Sequence, residues 1–148
     1  MIRSKWLTGE DDLSAVRRLR QTPDDGRDGS ALHVLVYEDD ADLAAGRLYD
    51  DRGRFYIDGL ALAPGADPEL LVLAVQIMVY RAAELGAKEI YSPESGAARK
   101  LLLAAGFLSV PPGEDPYAAL VLRPSCGHDC SSCACCHARE SAGEEPER

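Results

Sequence analysis

The stretch RFYIDGLALAPGADPELLVLAVQIMVYRAAELGAKEIY (residues 54–91) decides the fold. Its first part is an apolar run that predicts a strand over residues 54–63, and the turn-forming run at 64–68 then ends that strand. Residues 68–85 predict a long helix, because Gly86 stands where glycine commonly follows the last helical turn. The last four residues predict a short strand, so the stretch forms a strand–helix–strand unit.

Outward from this unit, similar patterns predict three strands and a helix before it and a helix and a strand after it. These elements cover residues 1–8, 13–20, 31–37, 43–49, 96–105 and 117–122. Asp50 to Gly53 is a hairpin signal, since glycine readily adopts a positive φ. The order β-α-β-β-β-α-β-α-β predicts an α/β (α+β) fold with one mixed sheet, helices on its faces and a single domain.

Charge and hydropathy exclude several classes of function. Sixteen basic residues against twenty-five acidic ones give a formal charge of −9, and the basic face typical of nucleic-acid binding is missing. Arg17, Arg18 and Arg20 cluster on the first predicted helix, and we interpret them as a solvated helix face. The longest largely apolar run, Leu70 to Val79, is too short to span a bilayer and predicts a buried helix. The N-terminus shows no secretory signal, so we expect a cytoplasmic protein without a membrane or nucleic-acid partner.

All five cysteines lie near the C-terminus, which divides the chain into a domain over residues 1–123 and a Cys/His-rich tail over residues 124–148. The polar, acidic end of this tail predicts partial disorder. The candidate metal ligands are Cys126, His128, Cys130, Cys133, Cys135, Cys136 and His137. Such ligands suit Zn²⁺, Cu(I) or an iron–sulfur cluster, and the metal stays open because the Cys130–Cys133 pair is not followed by a second, separate CxxC knuckle. The alternatives are disulfides, which reducing cytoplasm disfavours, and a redox-active or regulatory segment.

Several elements together resemble the GNAT N-acetyltransferases. They are the strands ALHVLVY (31–37), LAAGRLY (43–49) and RFYIDGLALAP (54–64), the transition AAELGAKEIY (82–91), and ARKLLLAAGF (98–107), which is similar to the signature YxKxGF. The resemblance covers residues 1–123. It implies that acetyl-CoA binds in a V-shaped gap between splayed central strands and that the acyl group moves to the amine of a small molecule or peptide.

The resemblance also implies where the donor would bind. In the family, a glycine-rich basic loop after the long strand and the following helix N-terminus cradle the pyrophosphate, which places Leu60, Leu62, Gly65 and Ala66 at the cofactor. Here the basic residue is absent, bulky aliphatic residues replace the later glycines, and two acids, Asp67 and Glu69, stand in the loop and at the start of the helix. We interpret both acids first as residues that favour a helix N-terminus.

Candidate catalytic residues follow from the same resemblance. Asp58 stands on the long strand where the family places a general base, although a carboxylate inside an apolar run can equally be a structural ion-pair partner. The family's tyrosine, a general acid, is replaced by Leu102, and Tyr91 or Tyr80 could substitute for it. His33, on a predicted strand, is interpreted as a satisfied structural histidine.

Two functions remain open from the sequence. The first is an N-acyltransferase that uses acyl-CoA through a diverged cofactor loop. The second is an inactive GNAT-like binding or regulatory module with a metal-binding tail, because function depends on the site and not on the fold. A homodimer and a complex with another protein are the alternatives for its assembly.

Overall fold

The computed structural model describes residues 1–21, 26–110 and 120–123, and these ranges contain seven strands and three helices. The strands are β1 (Arg3–Leu7), β2 (Leu32–Glu38), β3 (Ala41–Asp51), β4 (Arg54–Leu62), β5 (Ile90–Ser92), β6 (Leu108–Ser109) and β7 (Leu120–Leu122). The helices are α1 (Ser14–Arg20), α2 (Glu69–Glu84) and α3 (Gly96–Ala104).

The strands form one mixed sheet in the order β1-β2-β3-β4-β5-β7-β6. β4 and β5 run parallel, and α2 connects them, while the other neighbouring pairs are antiparallel. The β3–β4 turn places Arg52 and Gly53 at φ values of 56° and 84°, and the N–H of Gly53 donates to the Asp50 carboxylate over 2.9 Å. Two positive φ values in succession match the hairpin turn whose twist fits the flanking strands.

Helix α2 covers one face of the sheet and builds the main core. Its buried residues include Leu71, Val75 and Met78, which share a cluster with Val34 and Ile57 of the sheet. Burying each such side chain contributes about 1.5–3 kcal/mol. The near-continuous apolar sequence of α2 is therefore explained by burial, as predicted.

Helix α1 packs on the opposite face, since successive strand residues point to opposite sides. Leu13 and Val16 pack there with Leu35 of β2 and Ala45 of β3. Asp12 accepts a hydrogen bond from the N–H of Ser14 over 3.0 Å at the start of the helix, as expected for a residue before a helix.

The predicted fold class and element order are confirmed, with one strand added. β6 was missed because two residues carry too little pattern to distinguish a strand from a loop. The predicted last strand is described from Leu120 onward, and its first three residues and the whole tail (124–148) lie outside the described ranges. No helix in the described parts of the chain is long and apolar enough to cross a membrane.

Candidate functional site

β4 and β5 part near the centre of the sheet. They pair at two positions only, Phe55 with Ile90 and Tyr56 with Tyr91. β4 then continues to Leu62, whereas β5 ends at Ser92, next to β7. Within the described residues, the second half of β4 therefore has an edge without a paired strand, and backbone groups on such an edge are available to other partners.

A β-bulge lies on β4 where the two strands part. The pairing between β3 and β4 shifts by one residue there, so that Gly59 and Leu60 together face Gly46. Gly59 adopts a φ of +63°, which a residue with a Cβ rarely adopts, and a Cβ at this position would also lie 3.2 Å from Cδ of Arg20.

Glu94 reaches across the gap to this bulge. It follows β5 by two residues, and its N–H donates to the Ser92 hydroxyl over 3.3 Å. Its carboxylate accepts hydrogen bonds from the backbone N–H groups of Leu60, at 3.2 Å, and of Gly59. The side chain thus occupies the gap between the parted strands and binds the free edge of β4.

The pKa of Glu94 is raised above its ordinary value. Burial disfavours the charged carboxylate and is the largest cause, and the negative charge of Asp58 acts in the same direction. The hydrogen bonds from Leu60 and Gly59, and the charge of Arg47, oppose this effect without cancelling it. A half-buried carboxyl group with a raised pKa has the properties of a general base.

Asp58, the base candidate from the sequence, lies in a network that we call the buried charge cluster. It consists of Arg17, Arg20, Asp28, Arg47 and Asp58. Arg47 binds both oxygens of Asp58 through Nε and Nη2, each at 2.8 Å, from the facing position on β3. Both oxygens of Asp58 accept charge-assisted bonds in this arrangement, so its role as a base stays a prediction that competes with a structural role.

Asp28 is the centre of the buried charge cluster. Its side chain is fully buried and accepts hydrogen bonds from Arg20 at 2.8 Å, Arg17 at 3.0 Å and Arg47 at 3.0 Å. Burial alone would raise its pKa, but the bonds from Arg20 and Arg17 outweigh burial and lower the pKa to about 2. The interpretation of the α1 arginines as a solvated face is wrong for Arg20, whose side chain is only 9% exposed because it pairs with Asp28.

His33 lies beside this cluster and is fully buried on β2. Its Nε2 is 3.1 Å from the Asp28 carbonyl oxygen, which can only accept, so Nε2 carries the proton. Nδ1 has no partner among the described residues, and burial lowers the pKa of the ring. His33 is therefore a strand histidine, as expected, but the expectation that it is satisfied holds for Nε2 only.

The tyrosine candidates have different surroundings. The hydroxyl of Tyr91 donates to Glu89, and burial raises the pKa of Tyr91. Its ring lies 5.9 Å from the ring of Tyr56 and under the guanidinium of Arg54. Tyr80 is 69% exposed on α2. Neither placement tests a role as a proton donor, which stays a prediction for Tyr91.

Leu102 is fully buried at the position where the resemblance expects a tyrosine. It shares the main core with Phe107 and Leu120. This aliphatic side chain packs as core and has no proton to donate to a leaving group.

The predicted cofactor loop lies between β4 and α2. Leu60 and Leu62 pack against the main core, and Gly65 adopts a φ of +79° in the loop. The N–H of Ala66 is bound to the Ala63 carbonyl oxygen over 3.0 Å.

Acidic side chains occupy the start of α2. The Asp67 carboxylate accepts the N–H of Glu69 over 3.0 Å, which confirms its interpretation as a residue that caps the helix start. A coenzyme diphosphate does not fit these residues as they stand, because the chain's own carboxylate already binds a donor there.

The predicted metal ligands, Cys126 to His137, lie outside the described residues. Among the residues that are described, no group of three or more His, Cys, Asp or Glu side chains could hold a metal ion. Metal binding by the tail stays a prediction.

No family model and no curated protein matches the sequence. Solved structures do match it. An acyl-CoA N-acyltransferase from Pseudomonas aeruginosa is similar with a TM-score of 0.66 and 19% identity, covering 82% of this chain and 99% of its own. A protein from Desulfovibrio desulfuricans assigned to the GNAT family of acetyltransferases gives 0.67 and 17%, covering 83% and 99%. This chain has the GNAT fold.

A third match shares the GNAT fold within a larger protein. N-acetylglutamate synthase from Neisseria gonorrhoeae, in complex with coenzyme A and N-acetyl-glutamate, gives a TM-score of 0.67 and 13% identity, covering 82% of this chain and 35% of its own. The structural similarity establishes the GNAT fold, and because the identities are this low, the chemistry must be argued from the site.

Sequence reasoning missed Glu94. It stands in the run SPESG (92–96), which predicts an ordinary polar loop between a strand and a helix. The available signal was its position two residues after the strand that neighbours the long central strand. That signal becomes informative only once the two strands are known to part.

Proposed function

We propose that this protein is an N-acyltransferase that moves an acyl group from an acyl-CoA-type thioester to the amine of a small molecule or peptide. The observation that carries the proposal is the Glu94 carboxylate, which lies in the gap between β4 and β5 with a raised pKa. The GNAT fold supports acyl transfer as the class of reaction.

Glu94 is the proposed general base. An amine attacks a carbonyl carbon only as the neutral species, so a group that removes its proton is needed at neutral pH. In the net reaction the C–N bond forms, the C–S bond breaks, and the proton removed from the amine ends on the released thiol.

The bulge supplies the second part of the proposed site. The N–H groups of Gly59 and Leu60 can donate hydrogen bonds to an acyl carbonyl oxygen, which then replaces the Glu94 carboxylate as their acceptor. When a carbonyl oxygen accepts these hydrogen bonds, Glu94 loses the interactions that lower its pKa and becomes a stronger base. Donor binding would therefore prepare the base for the amine.

The test is the variant Glu94→Gln, which keeps an oxygen for the bulge N–H groups but cannot accept a proton from an amine. Thiol release would be measured with acetyl-CoA and a panel of primary amines. We expect kcat to fall by about 10²–10⁴ and the acid limb of the pH profile to disappear.

Glu84→Gln is the matched control, because Glu84 carries the same charge but pairs with Arg81 on an exposed part of α2. It should keep both the rate and the acid limb. A Glu94→Gln protein within tenfold of wild type, with an unchanged profile, would show that Glu94 is not the base. Absence of thiol release from wild type with every amine would reject the proposed function itself.

A further inference from the structure

The start of α2 has no free donors for an anion. The first four N–H groups of the helix belong to Glu69, Leu70, Leu71 and Val72. The first donates to the Asp67 carboxylate at 3.0 Å and the second to the Asp67 carbonyl oxygen at 2.9 Å. The third and fourth donate to the Pro68 carbonyl oxygen at 3.0 and 3.3 Å. A helix N-terminus binds phosphate through its first backbone N–H groups, and it can do so only when these groups have no other acceptor.

The charge at this helix end also disfavours phosphate binding. The side chains of Asp67 and Glu69 are both acidic, and Pro68 between them has no N–H. No lysine or arginine occurs in the sequence between Arg54 and Arg81. A carboxylate in contact with a phosphate weakens its binding by roughly fivefold or more even in a water-like dielectric.

We infer that this protein selects its acyl donor by the thioester and the pantetheine-like arm, and that the nucleotide diphosphate of coenzyme A contributes no affinity. The substrate class is therefore acyl thioesters in general, including those that carry no diphosphate. This inference rests on the proposed function and adds the specificity-determining residues Asp67 and Glu69 to it.

The gap between β4 and β5 retains what such a donor needs. The N–H groups of Gly59 and Leu60 lie on the open edge of β4. Their acceptor, the Glu94 carboxylate, can be replaced by an uncharged carbonyl group of the acyl thioester. The bulge and the start of α2 differ in which groups accept their N–H hydrogen bonds. The bulge donors are bound by a side chain across a gap, whereas three of the four helix donors are bound by the backbone of the helix start.

The experiment compares S-acetylpantetheine with acetyl-CoA on the wild-type protein. Calorimetry with pantetheine and coenzyme A gives the binding constants, and thiol release with an amine gives kcat/KM. We expect the two ligands to bind within about tenfold of each other, and the two thioesters to have similar kcat/KM values.

The double variant Asp67→Asn/Glu69→Gln removes both charges, and asparagine serves as well as aspartate at a helix start. It should bind coenzyme A about tenfold or more tightly than wild type does, with pantetheine binding unchanged. Asp50→Asn/Asp51→Asn, at the end of β3 just before the β3–β4 turn, is the charge-matched control and should change neither constant.

Coenzyme A that binds wild type more than about tenfold more tightly than pantetheine would overturn this inference and leave the proposed function standing. A double variant that behaves like the control would also overturn it. If neither ligand binds and neither thioester reacts, the proposed function fails and the inference fails with it.

Discussion

Asp28→Asn tests whether the buried charge cluster stabilises the fold. Asp28 is fully buried and binds three arginines, and its pKa of about 2 lies below its ordinary 3.8. This difference corresponds to about 2 kcal/mol in favour of the folded state at neutral pH. Asparagine also leaves the guanidinium groups without a compensating charge, and removing one partner of a buried ion pair costs about 3–5 kcal/mol.

We therefore expect Asp28→Asn to lower the free energy of unfolding by about 3 kcal/mol or more, and the melting temperature by about 6–12 °C. Urea denaturation followed by circular dichroism measures the loss. Asp42→Asn is the matched control, because Asp42 pairs with the largely exposed Arg18 at 3.5 Å and such pairs contribute at most about 1 kcal/mol.

The pH dependence gives the sign of the effect. Because the folded pKa of Asp28 is the lower one, its contribution is complete above pH 3.8 and is lost as the pH falls from 3.8 toward 2. Wild type should lose stability over this range more steeply than the variant does. A loss in Asp28→Asn no larger than that in Asp42→Asn would refute the reasoning that the cluster is stabilising.

Two further predictions concern His33 and the tail. Burial lowers the pKa of His33 below 6.5, so the unfolded chain binds a proton that the folded chain does not, and stability should fall as the pH drops below 6.5. His33→Gln, measured by urea denaturation at pH 7.5 and 5.5, should show a smaller fall than wild type; an equal fall would count against this assignment. Protein purified under reducing conditions should contain about one equivalent of Zn, Cu or Fe, bound through Cys126 to His137. Metal analysis with and without residues 125–148 checks this, and equal metal content in both proteins would reject the tail as the site.

The fold could be predicted from the sequence because local patterns determine it. The apolar run of α2, the hairpin turn at Gly53 and the glycines after the helices each follow from short-range physics. Asp58 was detectable for a similar reason, since a charge inside an apolar strand is conspicuous. Its partner Arg47 was not detectable, because the pairing depends on the register between two strands.

The remaining parts of the site depend on contacts between distant segments. Glu94 reaches Leu60, thirty-four positions earlier in the chain, only because β4 and β5 part. The sequence predicts Arg20 to be a solvated helix residue, because only the tertiary structure shows that Asp28 lies beside it. Each of these groups has an ordinary local sequence, and tertiary structure alone gives it a specific role.

The bulge at Gly59 also constrains how this chain can change length. Before it, the odd-numbered residues Phe55 and Ile57 pack against the α2 core, whereas after it the even-numbered Leu60 and Leu62 do so. β4 is thus two half-strands of opposite phase, joined by one extra residue. Deleting that residue would restore regular pairing and leave both leucines on the core side, in unbroken alternation with Phe55 and Ile57, whereas straightening the bulge without a deletion would turn both leucines away from the core. A natural relative without the bulge needs one residue fewer here to keep the same residues on the core side, so an alignment without a gap would pair residues from opposite faces of the sheet.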